Sequence, residues 1–264
     1  MHNHDRGLEF DLATLRNRRR ALALFGGAGL AVLAGCSSTP TSSGGSTTTR
    51  GTTANGSAVD EIPQETAGPY PGDGSNGPNV LTESGIVRGD IRSSFGSASG
   101  VAEGIPLTIN LTVLEADTDT ALAGAAVYLW HCDMQGRYSL YSQGVAKENY
   151  LRGVQEADTS GALTFTSIFP AAYAGRWPHI HFEVYPSLAE ATKAGTKLKT
   201  SQLALPEDIC RTVYATSGYE SSVRNLAQTS LQRDMVFSDG VDRQMATVTG
   251  DVSSGLKASL TFGV

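Results

Sequence analysis

The chain has 264 residues with 20 Lys and Arg against 26 Asp and Glu, so its formal net charge at pH 7 is -6. This acidic balance argues against nucleic acid as the main partner, because the phosphate backbone attracts basic surfaces. Only 3 cysteines are present, which excludes a disulfide-rich scaffold and a zinc site with four cysteine ligands. No run of about 18 uncharged apolar residues predicts a membrane span.

Residues 1–35 have the organisation of an export signal. Four arginines directly precede the uncharged apolar stretch 21–34: Arg16, Arg18, Arg19 and Arg20. A basic segment followed by an apolar one is typical of a signal peptide. The paired arginines resemble a twin-arginine (Tat) export signal, and Leu33-Ala34-Gly35-Cys36 resembles a bacterial lipobox. We expect an exported lipoprotein at the cell surface, in the periplasm or released outside, whose only membrane contact is lipid on Cys36. An ordinary signal peptide is the alternative.

The segment 36–58 is predicted to be a flexible linker, because it consists almost entirely of Ser, Thr, Gly and Pro. The folded domain is therefore predicted to span residues 59–264. Removing residues 1–35 takes away five basic and three acidic side chains, which leaves a net charge of -8. Three histidines then remain: His131, His179 and His181.

The predicted domain has the composition of an all-β protein. Four short segments rich in β-branched and aromatic residues are predicted strands: 107–114, 125–130, 162–168 and 179–185. Turn-forming clusters separate them, further strands are expected near 244–249 and 257–263, and only 187–196 and 220–232 have weak helical character. These patterns favour a β-sandwich.

His179 and His181 are candidate metal ligands. Side chains alternate along a strand, so both imidazoles project to one side with their Cα atoms roughly 7 Å apart. Glu183 continues the same face but lies about 14 Å from His179, which is too far for a shared metal, and we reject a His-His-carboxylate triad. A partly buried polar stripe without metal is the alternative.

The neighbouring residues limit the other ligands. His131 and Cys132 are adjacent and face opposite ways on a strand, and no Cys-x-x-Cys accompanies them, so they do not favour zinc. Tyr138 and Tyr173 are the nearby oxygen donors. A phenol, with a pKa of about 10, binds metal at neutral pH only if a strongly Lewis-acidic cation displaces its proton. Two phenolates with two imidazoles suit ferric iron.

Four motifs together resemble the intradiol ring-cleavage dioxygenases, most closely their secreted, single-domain, protocatechuate dioxygenase-like branch. The motifs are ETAGPY at 65–70, VYLWHCDMQGRY at 127–138, LRGVQ at 151–155 and FTSIFPAAYAGRWPHIH at 165–181. The order of Gly-Arg-Tyr, Pro-x-x-Tyr and Arg-x-Pro-His-x-His makes the resemblance specific, and it extends over about residues 62–215.

The resemblance implies a β-sandwich of the intradiol dioxygenase type and a non-haem Fe(III) centre. It implies Tyr138 and His179 as equatorial ligands and Tyr173 and His181 as axial ones, with Tyr173 also acting as a base. Arg176 matches the family's active-site arginine, whose cationic fork stabilises negative charge. Gln202 matches a glutamine near the oxygen site. The implied reaction inserts O₂ into a catechol-type aromatic diol and gives a muconate-type diacid.

Two departures from the family pattern affect the pocket and the assembly. Six residues separate Tyr173 from His179, fewer than in the cytoplasmic enzymes, and this leaves the shape of the substrate pocket open. The helical dimerisation segment of the catechol-type members does not precede the domain, and this leaves the oligomeric state open.

With Cys36 assigned to lipid, Cys132 and Cys210 remain. An exported domain with two cysteines is expected to join them in a disulfide, and a pair of buried thiols is the alternative.

Two other function classes remain compatible with the pattern. A transthyretin-like or adhesion-type sandwich would bind a ligand or act as a spacer without catalysis. A zinc or copper protein on the same scaffold would be hydrolytic or redox-active. Metal content distinguishes all three.

Overall fold

A computed structural model describes residues 59–264. The predicted export signal, the lipid attachment at Cys36 and the linker at 36–58 lie outside the described residues. In the part of the chain that is described, no helix has the length and apolar character needed to cross a membrane.

Within residues 59–264, eight strands form two four-stranded sheets, which confirms the predicted β-sandwich. The strands are β1 (Pro106–Leu114), β2 (Ala126–Trp130), β3 (Arg152–Glu156), β4 (Ala162–Ile168), β5 (His179–Tyr185), β6 (Lys199–Ala204), β7 (Thr247–Asp251) and β8 (Gly255–Gly263). One sheet has the order β4-β1-β8-β7 and the other β3-β2-β5-β6. Every pairing is antiparallel except that of β1 with β8.

Three short helices follow β5: α1 (Leu188–Ala191), α2 (Glu207–Tyr214) and α3 (Glu220–Ala227). Two of them fall in the segments predicted to have helical character, and α2 was not predicted. Strands β3 and β6 were not predicted either, because their sequences RGVQE and KTSQLA lack an apolar alternation. Arg152 of β3 and all the polar residues of β6 are nevertheless buried, since other parts of the chain cover the outer face of this sheet.

The main core lies between the sheets. Strand β1 alternates buried and half-buried residues along its length, as expected for a strand with one covered face. Strand β5 is buried at every residue because both of its faces are covered. Ile180 and Phe182 pack into the core between the sheets. The opposite face of β5 carries His179 and His181, which are each 2% exposed.

The predicted Cys132–Cys210 disulfide is wrong, because both residues are buried free thiols. Cys132 follows β2, packs with the aromatic residues on the outer face of the second sheet, and lies with its Sγ 3.5 Å from the Ala171 carbonyl oxygen. Cys210 is on α2 and packs into the core between the sheets. Burial raises the pKa of both thiols. An oxidising compartment permits a disulfide, but here the two side chains belong to different hydrophobic clusters.

Candidate metal centre

The two histidines are brought together by β5, at the centre of the second sheet. His181 lies between Trp130 of β2 and Gln202 of β6, and His179 pairs with Ala204. Their Nε2 atoms are 3.0 Å apart. Both imidazoles therefore project to the same side of the strand, as predicted.

A turn after β2 brings Tyr138 to the same place. The Asp133 carboxylate accepts hydrogen bonds from the backbone N–H groups of Gln135 and Arg137, which fixes the turn. Gly136 has a φ of 81°, and a Cβ at this position would lie 3.2 Å from the Cβ of Tyr173. Glycine thus permits both the left-handed backbone and the close approach of the turn to the second tyrosine.

The four side chains predicted as metal ligands converge. The hydroxyl of Tyr138 lies 3.5 Å from that of Tyr173, and the Tyr173 hydroxyl lies 3.1 Å from His179 Nε2. Two ligands at right angles around an ion, each bonded at about 2.1 Å, are roughly 3.0 Å apart. The observed spacings therefore suit two oxygen and two nitrogen donors around one cation.

The surroundings of His179 leave a nitrogen lone pair toward this space. His179 Nδ1 lies 2.5 Å from the Trp177 carbonyl oxygen, so Nδ1 carries the proton and Nε2 the lone pair. The His181 ring stacks on Trp130 at a centroid distance of 4.9 Å and an angle of 4°. Burial lowers the pKa of both histidines, which favours the neutral form that binds metal.

The phenol of Tyr138 needs a cation in order to ionise. The side chain is 2% exposed, and burial, followed by the proximity of Tyr173, raises its pKa well above the ordinary value. Without a metal the proton therefore stays on the oxygen. Among residues 59–264, no group of three or more His, Cys, Asp or Glu side chains is arranged to hold a metal ion. A metal bound here thus depends on the two tyrosines.

Two residues set aside in the sequence analysis have other contacts. Glu183 accepts hydrogen bonds from Lys197 at 2.7 Å and from the Tyr185 hydroxyl at 2.7 Å, away from the histidines. His131 hydrogen-bonds with Ser167 Oγ at 2.7 Å and with the Cys132 carbonyl at 2.8 Å. Because both side chains are hydrogen-bonded to these other groups, the structure agrees with their exclusion from the predicted set of metal ligands.

Arg176 and Gln202 lie at one side of the four donors. Arg176 Nη1 is 3.5 Å from His179 Nε2, and Arg176 Nη2 donates to Gln202 Oε1 at 2.7 Å. The Gln202 amide in turn donates to the Thr66 carbonyl at 2.9 Å, so the segment before β1 helps to hold the site. Gly68 of that segment passes so close that a Cβ there would lie 3.3 Å from His181 Cε1.

Sequence reasoning missed Asp234, which forms a buried ion pair with Arg176 at 3.0 Å. It lies between two short 3-10 helices, Leu231–Arg233 and Phe237–Asp239. No periodicity or motif around it gives a signal, because its role depends on the packing of a distant loop against the site.

This chain is similar to known proteins. A family model described as "Dioxygenase" matches residues 76–216. An intradiol ring-cleavage dioxygenase from Tetranychus urticae has a similar solved structure, with a TM-score of 0.58 and 23% identity over 78% of this chain and 93% of that one. A second solved structure, dioxygenase Tetur07g02040, gives a TM-score of 0.59 and 22% identity over 77% of this chain and 94% of that one. Both likenesses support the fold.

Proposed function

Because the chain belongs to the intradiol ring-cleavage dioxygenase family, we propose that it uses a non-haem Fe(III) and O₂ to open catechol-type aromatic diols to muconate-type diacids. The observation that carries the proposal is the convergence of Tyr138, Tyr173, His179 and His181, whose neighbouring donor atoms are 3.0–3.5 Å apart. These four residues would hold the metal. When bound, Fe(III) supplies a Lewis acid that favours the ionised forms of the phenols and of the diol.

The two tyrosines differ in access, and this supports different roles for them. Tyr138 is buried, whereas Tyr173 is half-buried and directly precedes an exposed turn at Ala174 and Gly175. A diol entering from solvent therefore reaches Tyr173 first. In the proposed mechanism the Tyr173 oxygen takes a proton from a diol hydroxyl, while Tyr138 stays in place.

Arg176 supplies positive charge beside the reacting atoms. Its side chain is almost fully buried, and its Nη1 lies at the edge of the space between the four donors. A fixed guanidinium in a water-poor site stabilises negative charge that develops on the ring and its oxygens more effectively than one in water. Trp130 stacks on the His181 ring and keeps water from that face of the imidazole.

Metal analysis of the purified protein, followed by oxygen uptake, tests the proposal. We expect about one iron per chain, a red-brown colour from charge transfer between tyrosinate and Fe(III), and O₂ consumption with members of a catechol, protocatechuate and hydroxyquinol panel. A protein that binds no metal would support the non-catalytic binding module instead. Bound zinc or copper would support a hydrolytic or redox-active protein on the same scaffold. A protein still colourless after anaerobic iron loading and reoxidation would overturn the proposed centre.

A further inference from the structure

Asp234 is fully buried, and its carboxylate accepts several hydrogen bonds. Its carboxylate accepts from Arg176 Nε at 3.0 Å and from Arg176 Nη2 at 3.4 Å. It also accepts from the backbone N–H groups of Trp177 at 2.6 Å, Val236 at 2.9 Å and Phe237 at 3.2 Å. Asp234 lies beyond residue 216, where the family match ends.

We propose that Asp234 is a positioning residue for the reaction, acting through Arg176 and through the backbone that orients His179. This role rests on the proposed function, since it concerns how the dioxygenase site is kept in order.

The first part of the argument is the direction of the guanidinium. A carboxylate that engages Nε and Nη2 together fixes the plane of the fork, as a single point charge would not. Gln202 Oε1 holds Nη2 from another side at 2.7 Å. With that edge of the fork fixed, Nη1 is the branch turned toward His179 Nε2, at 3.5 Å.

The second part is charge. Arg176 is 4% exposed and Asp234 is 0% exposed, so neither charge is solvated by bulk water. A buried guanidinium without a counter-charge is strongly unfavourable and would turn toward solvent or toward other acceptors. Three backbone N–H groups hold the carboxylate itself, which makes it a rigid anchor.

The third part is the link to a predicted ligand. The Trp177 N–H donates to Asp234 Oδ2, and the carbonyl of the same residue accepts from His179 Nδ1 at 2.5 Å. Asp234 therefore holds the residue whose carbonyl sets the tautomer and the ring orientation of His179. One carboxylate thus positions both the cation and an imidazole.

Asp234→Asn separates positioning from simple structural support, because asparagine keeps the shape and one acceptor oxygen but removes the charge. In the iron-loaded enzyme we expect kcat/KM to fall roughly 10- to 100-fold per iron-loaded folded protein, the scale of outer-shell losses at metal sites. The dissociation constant of 4-nitrocatechol, read from its visible difference spectrum, should rise as well. Iron content and the tyrosinate band should remain.

Glu183→Gln is the matched control. Glu183 lies on the strand that carries the histidines, and the variant removes its buried negative charge from an ion pair with the partly exposed Lys197. It should lower stability without changing kcat or 4-nitrocatechol binding. If Asp234→Asn behaves like Glu183→Gln, the positioning role is overturned.

A second measurement needs neither iron nor turnover. In metal-free Arg176→Ala, methylguanidinium should occupy the vacated fork site beside Asp234 and raise the Tm in a saturable way. The double variant Arg176→Ala/Asp234→Asn should show no saturable rise. An equal rise in both variants would contradict the proposed anchor.

A wild-type enzyme that cleaves no diol would overturn the proposed function, and with it the role of Asp234 in the reaction. An active wild type with an unaffected Asp234→Asn variant would overturn the positioning role alone.

Discussion

Replacing Tyr138 by phenylalanine should weaken and shift the red-brown colour, because Tyr173 would be the one proposed tyrosinate ligand left. It should lower turnover by about 1000-fold or more, a loss of about 4 kcal/mol in transition-state stabilisation. The substitution removes one oxygen donor and leaves the ring in place. That ring packs on Tyr70 at a centroid distance of 5.0 Å and against His181 at 6.1 Å, so the fold should tolerate the change. The visible spectrum, the iron content and the rate of O₂ uptake measure the effect.

Tyr141→Phe is the matched control for this variant. The Tyr141 hydroxyl accepts from the Gly72 N–H at 2.9 Å and donates to the Asn76 carbonyl at 2.8 Å, away from the four donors. Its loss should cost about 1 kcal/mol of stability and leave the colour unchanged. If Tyr138→Phe keeps both the colour and the turnover of the wild type, Tyr138 is not a ligand.

Arg152→Met should lower the free energy of unfolding by about 3–5 kcal/mol, because several buried hydrogen bonds from a charged donor, each worth about 1.5–3 kcal/mol, are lost together and partly compensated by relaxation. Arg152 is 1% exposed, and its guanidinium donates to the carbonyls of Pro71 at 2.8 Å, Tyr70 at 3.0 Å and Ser139 at 2.9 Å. It also donates to the Tyr128 hydroxyl at 3.0 Å. Methionine fills a similar volume but removes these hydrogen bonds, and each buried acceptor left unsatisfied costs about 1–3 kcal/mol before relaxation. The Pro71 carbonyl keeps one donor, the Tyr128 hydroxyl at 2.7 Å.

Urea unfolding of the metal-free protein measures this loss without a contribution from bound metal. Arg152→Lys should not restore the stability, because an ammonium cannot serve acceptors spread around a planar fork. Arg92→Met is the exposed control: Arg92 pairs with Asp90 while its side chain is 44% exposed, and its loss should cost less than about 1 kcal/mol. Arg152→Met within 1 kcal/mol of the wild type would show that water replaces the guanidinium.

The sequence predicted the parts of the fold whose burial follows a simple period. Strands β1, β4 and β5 were recognised because they alternate or run apolar against the core between the sheets. Strands β3 and β6 escaped prediction because their buried residues are polar, as with Arg152 and Gln202. Those residues are buried by the segment before β1, and a local pattern carries no information about such long-range covering.

The candidate site was predictable to a similar extent. The motif residues Tyr138, Tyr173, His179 and His181 converge in the structure, as do Arg176 and Gln202 beside them. Asp234 could not be predicted from the sequence, because its partner Arg176 lies 58 positions away in the chain. The disulfide prediction failed because the presence of two cysteines does not show whether their side chains share a cluster.

Turnover with isotopically heavy O₂ tests the central claim most directly. With a catechol substrate that the enzyme consumes, we predict one diacid formed per O₂ consumed and both heavy oxygen atoms in that product, measured by mass spectrometry with Tyr138→Phe as the inactive control. A ring-opened product that carries no heavy oxygen, or a wild type whose product yield matches that of Tyr138→Phe, would contradict the assignment of this site as a ring-cleaving dioxygenase centre.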